Sequence, residues 1–246
     1  MTETLTDDRL LGGRVRLAQP AWGYRVAIDT VLLAAAVPAR AGERVLEAGC
    51  GVGGAALCLA ERIPGVAVTG VDADADLVRI AAANAEENGV AGRVSFRAGD
   101  IAPQGTGVER GTFDHAMANP PYLAAGTGRP SAEGRKAAAT VEAGADLGDW
   151  IGFCLSAVRD RGSVTLVHRA DRLEALLAAF AGRAGGIVVF SLWPSAAADA
   201  KRVIVTARKG SAAPTRLARG LVLHEDGGAY TDEAEAALRH GAALEI

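Results

Sequence analysis

Two stretches carry residue types that could do chemistry: R-V-L-E-A-G-C-G-V-G-G from Arg44 to Gly54, and N-P-P-Y from Asn119 to Tyr122. In the first, Glu47 stands at the mouth of an apolar strand. Gly49, Gly51 and Gly53 let the backbone turn sharply and approach a ligand that a Cβ would block. A helix opens at once with Ala55, Ala56, Leu57 and Leu59. Strand, glycine loop and helix N-terminus together make a nucleotide site. Gly49, Gly51 and Gly54 also fit the dinucleotide pattern G-x-G-x-x-G. Glu47 argues against that ligand, because a pyrophosphate at this turn would meet a carboxylate. S-adenosyl-L-methionine has no phosphate and presents an ammonium and a sulfonium, which a neighbouring acid favours. The loop therefore reads as a methyl-donor loop.

In the second stretch, two prolines remove two backbone donors and stiffen the turn. The Asn119 side chain and the Pro120 carbonyl then converge on a planar NH₂ group. Accepting both its protons draws the nitrogen lone pair out of conjugation. Neutral acceptors suit an amine that becomes cationic only during attack. Tyr122 is placed to stack on the ring that carries the amine.

The surrounding pattern must deliver these groups to one edge. Val66 to Val71 is a continuous β-branched run, as in a strand buried on both faces, and it ends at Asp72. Asp72 is the acid expected to hold the ribose hydroxyls. Asp74 caps a helix whose inner side is Leu77, Ile80, Ala81 and Ala85. Val94 to Phe96 is a short strand, and Asp100 beyond it is expected to accept from the adenine amine of the donor. Phe113 to Ala118 is the strand that runs into Asn119. Later strands are expected at 163–168, 187–193 and 202–207, with helices around Trp150 and over 171–180. The tail reads as a docked element whose helix is capped by Thr231. Ahead of the sheet, Arg14 to Leu17 alternates like a strand, and Asp29 or Thr30 is expected to cap a helix that ends before Pro38.

The fold expected is α/β: a doubly wound, seven-stranded, mostly parallel sheet with its last strand pair antiparallel and a short N-terminal β flap. Residues 1–40 form the flap and its following helix, and 41–246 the domain that binds S-adenosyl-L-methionine. The chain has 246 residues, half of them apolar, and few aromatics, which gives one sizeable aliphatic core. Cys50, Cys58 and Cys154 have no metal-ligand or redox spacing and read as reduced thiols; Cys50 reads as a small buried side chain. Scattered histidines suggest no metal, the polar N-terminus is unlike a signal peptide, and no apolar run spans a bilayer, so the expected location is the cytoplasm.

The net charge of −3 does not announce a nucleic-acid binder, although a local basic face would suffice. Two basic groups are candidates for a phosphate backbone: the flap with Arg9, Arg14, Arg16 and Arg25, and the cluster Lys201, Arg202, Arg208, Lys209, Arg216 and Arg219. Residues 123–148 form a long Gly-, Ala- and charge-rich connection, a candidate substrate loop.

E-A-G-C-G-V-G with N-P-P-Y resembles the class I, Rossmann-like amino-methyltransferases. L-L-G-G-R-V-R-L-A-Q-P at 10–20, G-Y-R-V-A-I-D-T-V-L-L-A-A-A at 23–36 and K-R-V-I-V-T-A-R-K-G at 201–210 narrow the resemblance to the bacterial tRNA(Val) adenine-N6 methylases. That resemblance implies methylation of an adenine exocyclic amine beside the anticodon, with tRNA or another RNA as partner. The same N-P-P-Y serves glutamine methyltransferases of release factors, guanine methylases of ribosomal RNA and DNA adenine methylases. An NAD-binding oxidoreductase and a non-catalytic RNA-binding module are the rivals from other classes.

Overall fold

A computed structural model of the chain describes residues 4–22, 25–101, 107–122 and 145–246. The helices are α1 (Ile28–Ala36), α2 (Gly54–Arg62), α3 (Ala75–Glu87), α4 (Leu147–Ala157), α5 (Leu173–Phe180) and α6 (Asp232–His240). The flap strands are β1 (Leu5–Leu10) and β2 (Val15–Pro20). The main sheet is built from β3 (Arg44–Ala48), β4 (Ala67–Asp72), β5 (Val94–Ala98), β6 (Phe113–Ala118), β7 (Val158–Arg169), β8 (Ala184–Ser195) and β9 (Arg202–Lys209). Two short strands, β10 (Arg216–Leu217) and β11 (Leu221–His224), complete it.

The sheet order is β5-β4-β3-β6-β7-β9-β8-β10, with β11 also paired to β8. The first five strands run parallel. β9 is antiparallel to both β7 and β8. The seven expected strands are thus present, with the antiparallel pair last. β10 and β11 are additions that the sequence reading did not include; both lie parallel to β8 at the outer edge.

The central strands are apolar on both faces because helices cover both. Leu32 and Leu33 of α1, Leu57 and Leu59 of α2 and Ile80 of α3 belong to one apolar layer. Ile151 and Leu155 of α4 with Leu176 and Phe180 of α5 belong to the other. Alanines at 34–36, 55, 56 and 60 are buried, so α1 and α2 pack closely with little side-chain bulk between them.

The flap is an antiparallel hairpin in register from Leu5↔Pro20 to Leu10↔Val15. It is fastened by two asparagines of the α3 segment. The Asn84 side chain accepts from Ala18 N (2.9 Å) and donates to Ala18 O (2.9 Å) and to Val52 O in the glycine loop (3.0 Å). Asn88 makes the same pair of bonds with the Arg16 backbone. α3 starts at the carboxyl edge of the sheet, so β2, which passes Asn88 before Asn84, climbs toward that edge. α1 then descends from it.

The cap expected for α1 is absent. Its N-cap is Ala27, which makes no side-chain bond, and Asp29 sits inside the first turn. Asp74, by contrast, caps α3 as expected, accepting from Asp76 N and Leu77 N, and Thr231 caps α6.

Asn84 is buried, and its removal strands three backbone groups. Asn84→Ala is expected to lower the unfolding free energy by about 2–4 kcal/mol. It should also expose residues 9–22 to limited proteolysis. Urea unfolding that shows no loss of stability would mean the flap is held by other contacts.

Candidate active site

The strand register builds the site. Ala48, the last residue of β3, faces Val71 on one side and Ala118 on the other. Asp72 faces Ala98. At or just beyond the ends of four adjacent strands, the chain therefore lines up Asn119, Gly49, Asp72 and Gly99-Asp100, in strand order β6-β3-β4-β5. Neighbouring strands are ~4.8 Å apart, so these groups share one crevice at the carboxyl edge.

The glycine loop is tied to the end of β4. Gly49 N and Cys50 N both donate to Val71 O, at 2.8 and 3.0 Å. Gly51 N donates to Asp72 Oδ2 at 2.7 Å, and Asp74 N donates to Asp72 Oδ1 at 3.0 Å. Gly49, Gly51 and Gly53 all have positive φ (69°, 51° and 86°). The expectation that each glycine makes room for a ligand needs correction. A Cβ on Gly49 would lie 2.5 Å from the Trp150 ring, and one on Gly53 2.6 Å from the Phe96 ring. At those two positions the protein's own aromatic rings take the space. Among the described residues, nothing lies within 4 Å of a Cβ on Gly51, so of the three this is the one they leave open.

Glu47 is buried, and its Oε2 accepts from Ala56 N in the first turn of α2 at 2.9 Å. Burial, with a smaller contribution from the Asp72 charge, pushes its carboxyl up to about 8. Asp72 is also raised by burial, against the bonds it accepts from Asp74 and Gly51. Burial, aided by the Glu47 and Asp72 charges, holds the Cys50 thiol well above its ordinary range, so Cys50 is a packing residue as expected.

At the N-P-P-Y turn, Asn119 is half-buried with its Oδ1 shielded from solvent, and Pro120 is buried. Three residues from distant elements converge on Pro121 and Tyr122. Tyr122 Oη donates to Asp29 Oδ2 at 2.7 Å. Arg202 Nε donates to the same oxygen at 2.9 Å, and its guanidinium carbon lies 4.6 Å from the centroid of the Tyr122 ring. His168 Nε2 is 3.2 Å from Pro121 O, and its ring stands at 80° to that of Tyr122. Burial takes the His168 imidazole down to about 4, so at neutral pH it is neutral and donates through Nε2.

Comparison with known proteins bears on what this arrangement does. Residues 24–141 match the model of the methyltransferase small domain. The chain is 29% identical over 214 residues to the tRNA1(Val) (adenine(37)-N6)-methyltransferase of Aeromonas salmonicida, covering 85% of this chain and 86% of that protein. It is 27% identical to an rRNA N(6)-adenosine-methyltransferase of Caenorhabditis elegans, covering 67% of this chain and 69% of that protein. A release factor glutamine methyltransferase of Chlorobaculum tepidum is 38% identical over only 80 residues, which is 27% of its length. Among solved structures, a predicted O-methyltransferase of Agrobacterium tumefaciens superposes with a TM-score of 0.74 at 26% identity, covering 88% of this chain and 98% of that one.

The chain is an S-adenosylmethionine-dependent methyltransferase.

The residues present fit that donor. The open position over Gly51, the Asp72 carboxylate beside it and the buried acid Glu47 suit a cationic nucleoside and not an anionic pyrophosphate. Asp100 lies at the same edge, exposed, two residues past the end of β5. Among the described residues, no group of His, Cys, Asp or Glu is arranged to hold a metal. Among them also, no helix is long and apolar enough to cross a membrane.

The basic residues expected to meet substrate are not brought together. β9 runs antiparallel to β7, so Lys201 and Arg202 lie at the carboxyl edge while Arg208 and Lys209 lie at the opposite one. Six residues of strand separate Arg202 from Arg208, roughly 20 Å. Lys209 Nζ donates to Val158 O and Arg208 Nη1 to Arg161 O, both at that far edge. Arg25 is held inside the flap, bonded to Asp8 at 2.6 Å and to Thr6 and the Pro20 carbonyl. The other flap arginines also face carboxylates: Arg9 with Asp7, Arg14 with Glu61 and Arg16 with Glu87. Of the expected set, Lys201 alone is both exposed and at the site's edge. The candidate substrate loop lies outside the described residues except for 145–148, which include the Asp146 capping box of α4.

Sequence reasoning missed Asp29 and His168. Asp29 was read as a helix cap, and nothing local in the sequence ties either residue to the catalytic turn.

Glu47 gives the methyltransferase a pH signature. Its raised carboxyl means that folding stability from this group is full below its ordinary range near 4.5 and is lost as pH rises through about 8. A bound cation favours the ionised form, so donor binding at pH 6–7 is expected to release a proton. Donor affinity should rise by up to about tenfold per pH unit and level off above pH ~8. Calorimetry in buffers of different ionisation enthalpy counts that proton, and Glu47→Gln should flatten the profile. A flat profile in the unmodified protein would separate Glu47 from the donor.

Proposed function

We propose that this methyltransferase acts on the exocyclic N6 amine of adenine in RNA, and that the RNA is tRNA near the anticodon. The observation that carries the chemistry is the pairing of Ala48 with Ala118, which sets the glycine loop and the N-P-P-Y turn side by side. The two relatives matched over two thirds or more of their length support adenine N6 as the acceptor. The longer match, to the tRNA enzyme, favours tRNA over ribosomal RNA.

In this reading Gly49, Gly51 and Gly53 shape the donor cradle, Asp72 holds the ribose, Asp100 meets the adenine, and Glu47 favours the cationic end. S-adenosylmethionine supplies an electrophilic methyl on a sulfonium. Asn119 Oδ1 and the Pro120 carbonyl accept the two protons of the acceptor amine and hold its lone pair in line. Tyr122 stacks on the acceptor ring. Both acceptors are neutral and stabilise the charge that develops on nitrogen during attack. The proton of the methylated amine then leaves to water, so no general base is needed. An adenine in a single-stranded loop reaches such a pocket with little unstacking cost.

The test offers S-adenosylmethionine labelled on its methyl, with unmodified tRNA, ribosomal RNA, DNA and a release factor in parallel. Label in N6-methyladenosine from tRNA is the expected result. Label in glutamine or guanosine would move the acceptor to another class. Asn119→Ala should lower turnover by 10²-fold or more, the scale seen when one preorganised transition-state partner is removed. Its donor affinity should stay unchanged. Asp72→Ala should instead weaken donor binding, and an unaltered dissociation constant would remove Asp72 from the site.

A further inference from the structure

We propose that Asp29, Arg202 and His168 are positioning residues for methyl transfer, which lock the N-P-P-Y turn from outside the motif. The inference rests on the acceptor role given to that turn, and it deepens that reading.

The locking groups come from three places in the chain. Asp29 is in the first turn of α1, where the helix dipole favours a carboxylate. It is not used as a cap. Its Oδ2 accepts from both Tyr122 Oη and Arg202 Nε. The Asp29 side chain is 14% exposed and that of Arg202 31%, so the pair is shielded enough to be directional. Arg202 in turn lays its guanidinium over the Tyr122 ring. A phenol held at its hydroxyl and covered on one face has its plane fixed. A planar acceptor is then restricted to the opposite face. His168 acts one residue earlier: it donates to Pro121 O and sets its ring edge-on to Tyr122. With the Pro121 carbonyl turned to His168, the rigid proline pair has a fixed orientation, and the Pro120 carbonyl with it.

This assignment also changes what Arg202 is for. Its Nε is spent on Asp29 and Nη1 donates to Lys201 O, so its charge serves the turn and not an RNA phosphate. Acceptor geometry in methyl transfer is demanding, and small misplacements of an aligned nucleophile cost rate without costing donor affinity.

The experiment measures kcat, acceptor KM and donor Kd, with the labelled-methyl assay on unmodified tRNA transcripts. Asp29→Asn and Tyr122→Phe are each expected to lower kcat by about tenfold, the scale of one charge-assisted hydrogen bond. Donor Kd should stay within about twofold. Because the two residues share one bond, the double variant should be little worse than either single one. Arg202→Lys keeps a charge for Asp29 but not the planar cover, so its kcat should fall between those of the unmodified protein and Arg202→Ala. His168→Gln keeps a donor toward Pro121 O and should retain more turnover than His168→Leu. A purely structural role would lower the melting temperature and weaken donor and acceptor alike, with no non-additivity in kcat.

Asn119→Ala is run alongside. If it loses turnover while Asp29→Asn and Tyr122→Phe keep it, the positioning role is overturned and the proposed function stands. If the unmodified protein labels no acceptor, or Asn119→Ala turns over normally, the proposed function falls and this inference falls with it.

Discussion

Two amide donors, Gly49 N and Cys50 N, share the single carbonyl of Val71, and the next residue, Asp72, takes Gly51 N on its side chain. These bonds bend the chain back over the end of β4 and start α2 at Gly54. Everything at the carboxyl edge is referenced to that bend. Gly53 N closes it by donating to Cys50 O, and Asn84 reaches in from α3 to accept the flap and hold Val52 O. The Trp150 and Phe96 rings fill the volume beside Gly49 and Gly53. The loop is thus clamped by both apolar layers, and the space left over Gly51 is fixed in place.

The clamp has an electrostatic consequence. Glu47 is buried under the first turn of α2, where it accepts from Ala56 N, and the Asp72 charge adds to the burial that opposes its ionisation. An acid held in its neutral form near neutral pH is a poor structural choice by itself, since an apolar residue would fill the same position without the desolvation cost. It makes sense if a cation arrives to share that environment. The same logic disfavours a pyrophosphate, which would meet the Asp72 carboxylate and would offer the buried Glu47 nothing to ionise for.

Much of this was readable in the sequence because it is local. Strands buried on both faces are continuous apolar runs. The acids and the asparagine stand directly at their ends, and the parallel register follows once the strand order is that of a doubly wound sheet. What was not readable depends on where a strand sits and which way it runs. Lys201 to Lys209 is one basic cluster in sequence, but β9 is antiparallel and carries its two ends to opposite edges. The partners of Gly49 and Gly53 are rings at 150 and 96, so the sequence showed that glycine was needed without showing why. Asp29 was assigned the usual role of an acid at a helix start. The Tyr122 hydroxyl that claims it lies 93 residues away. β10 and β11 are short and gain their order from neighbours, not from a periodic pattern of their own.

Charge placement bears on how an RNA would be recognised. Arg9, Arg14, Arg16 and Arg25 each face a carboxylate. Exposed pairs of this kind are worth little in stability, and a phosphate can compete for the arginine. That exchange releases an acid for every cation recruited, so its net electrostatic gain is small. With a net charge of −3 for the whole chain, long-range attraction contributes little to affinity. Discrimination is then carried by what the pocket demands of a single base: a planar ring, an amine with two protons to give, and freedom to leave its stack. Such an enzyme reads the local chemistry of an exposed nucleotide more closely than the backbone that presents it. Its KM should accordingly depend less steeply on salt than that of an enzyme gripping several phosphates.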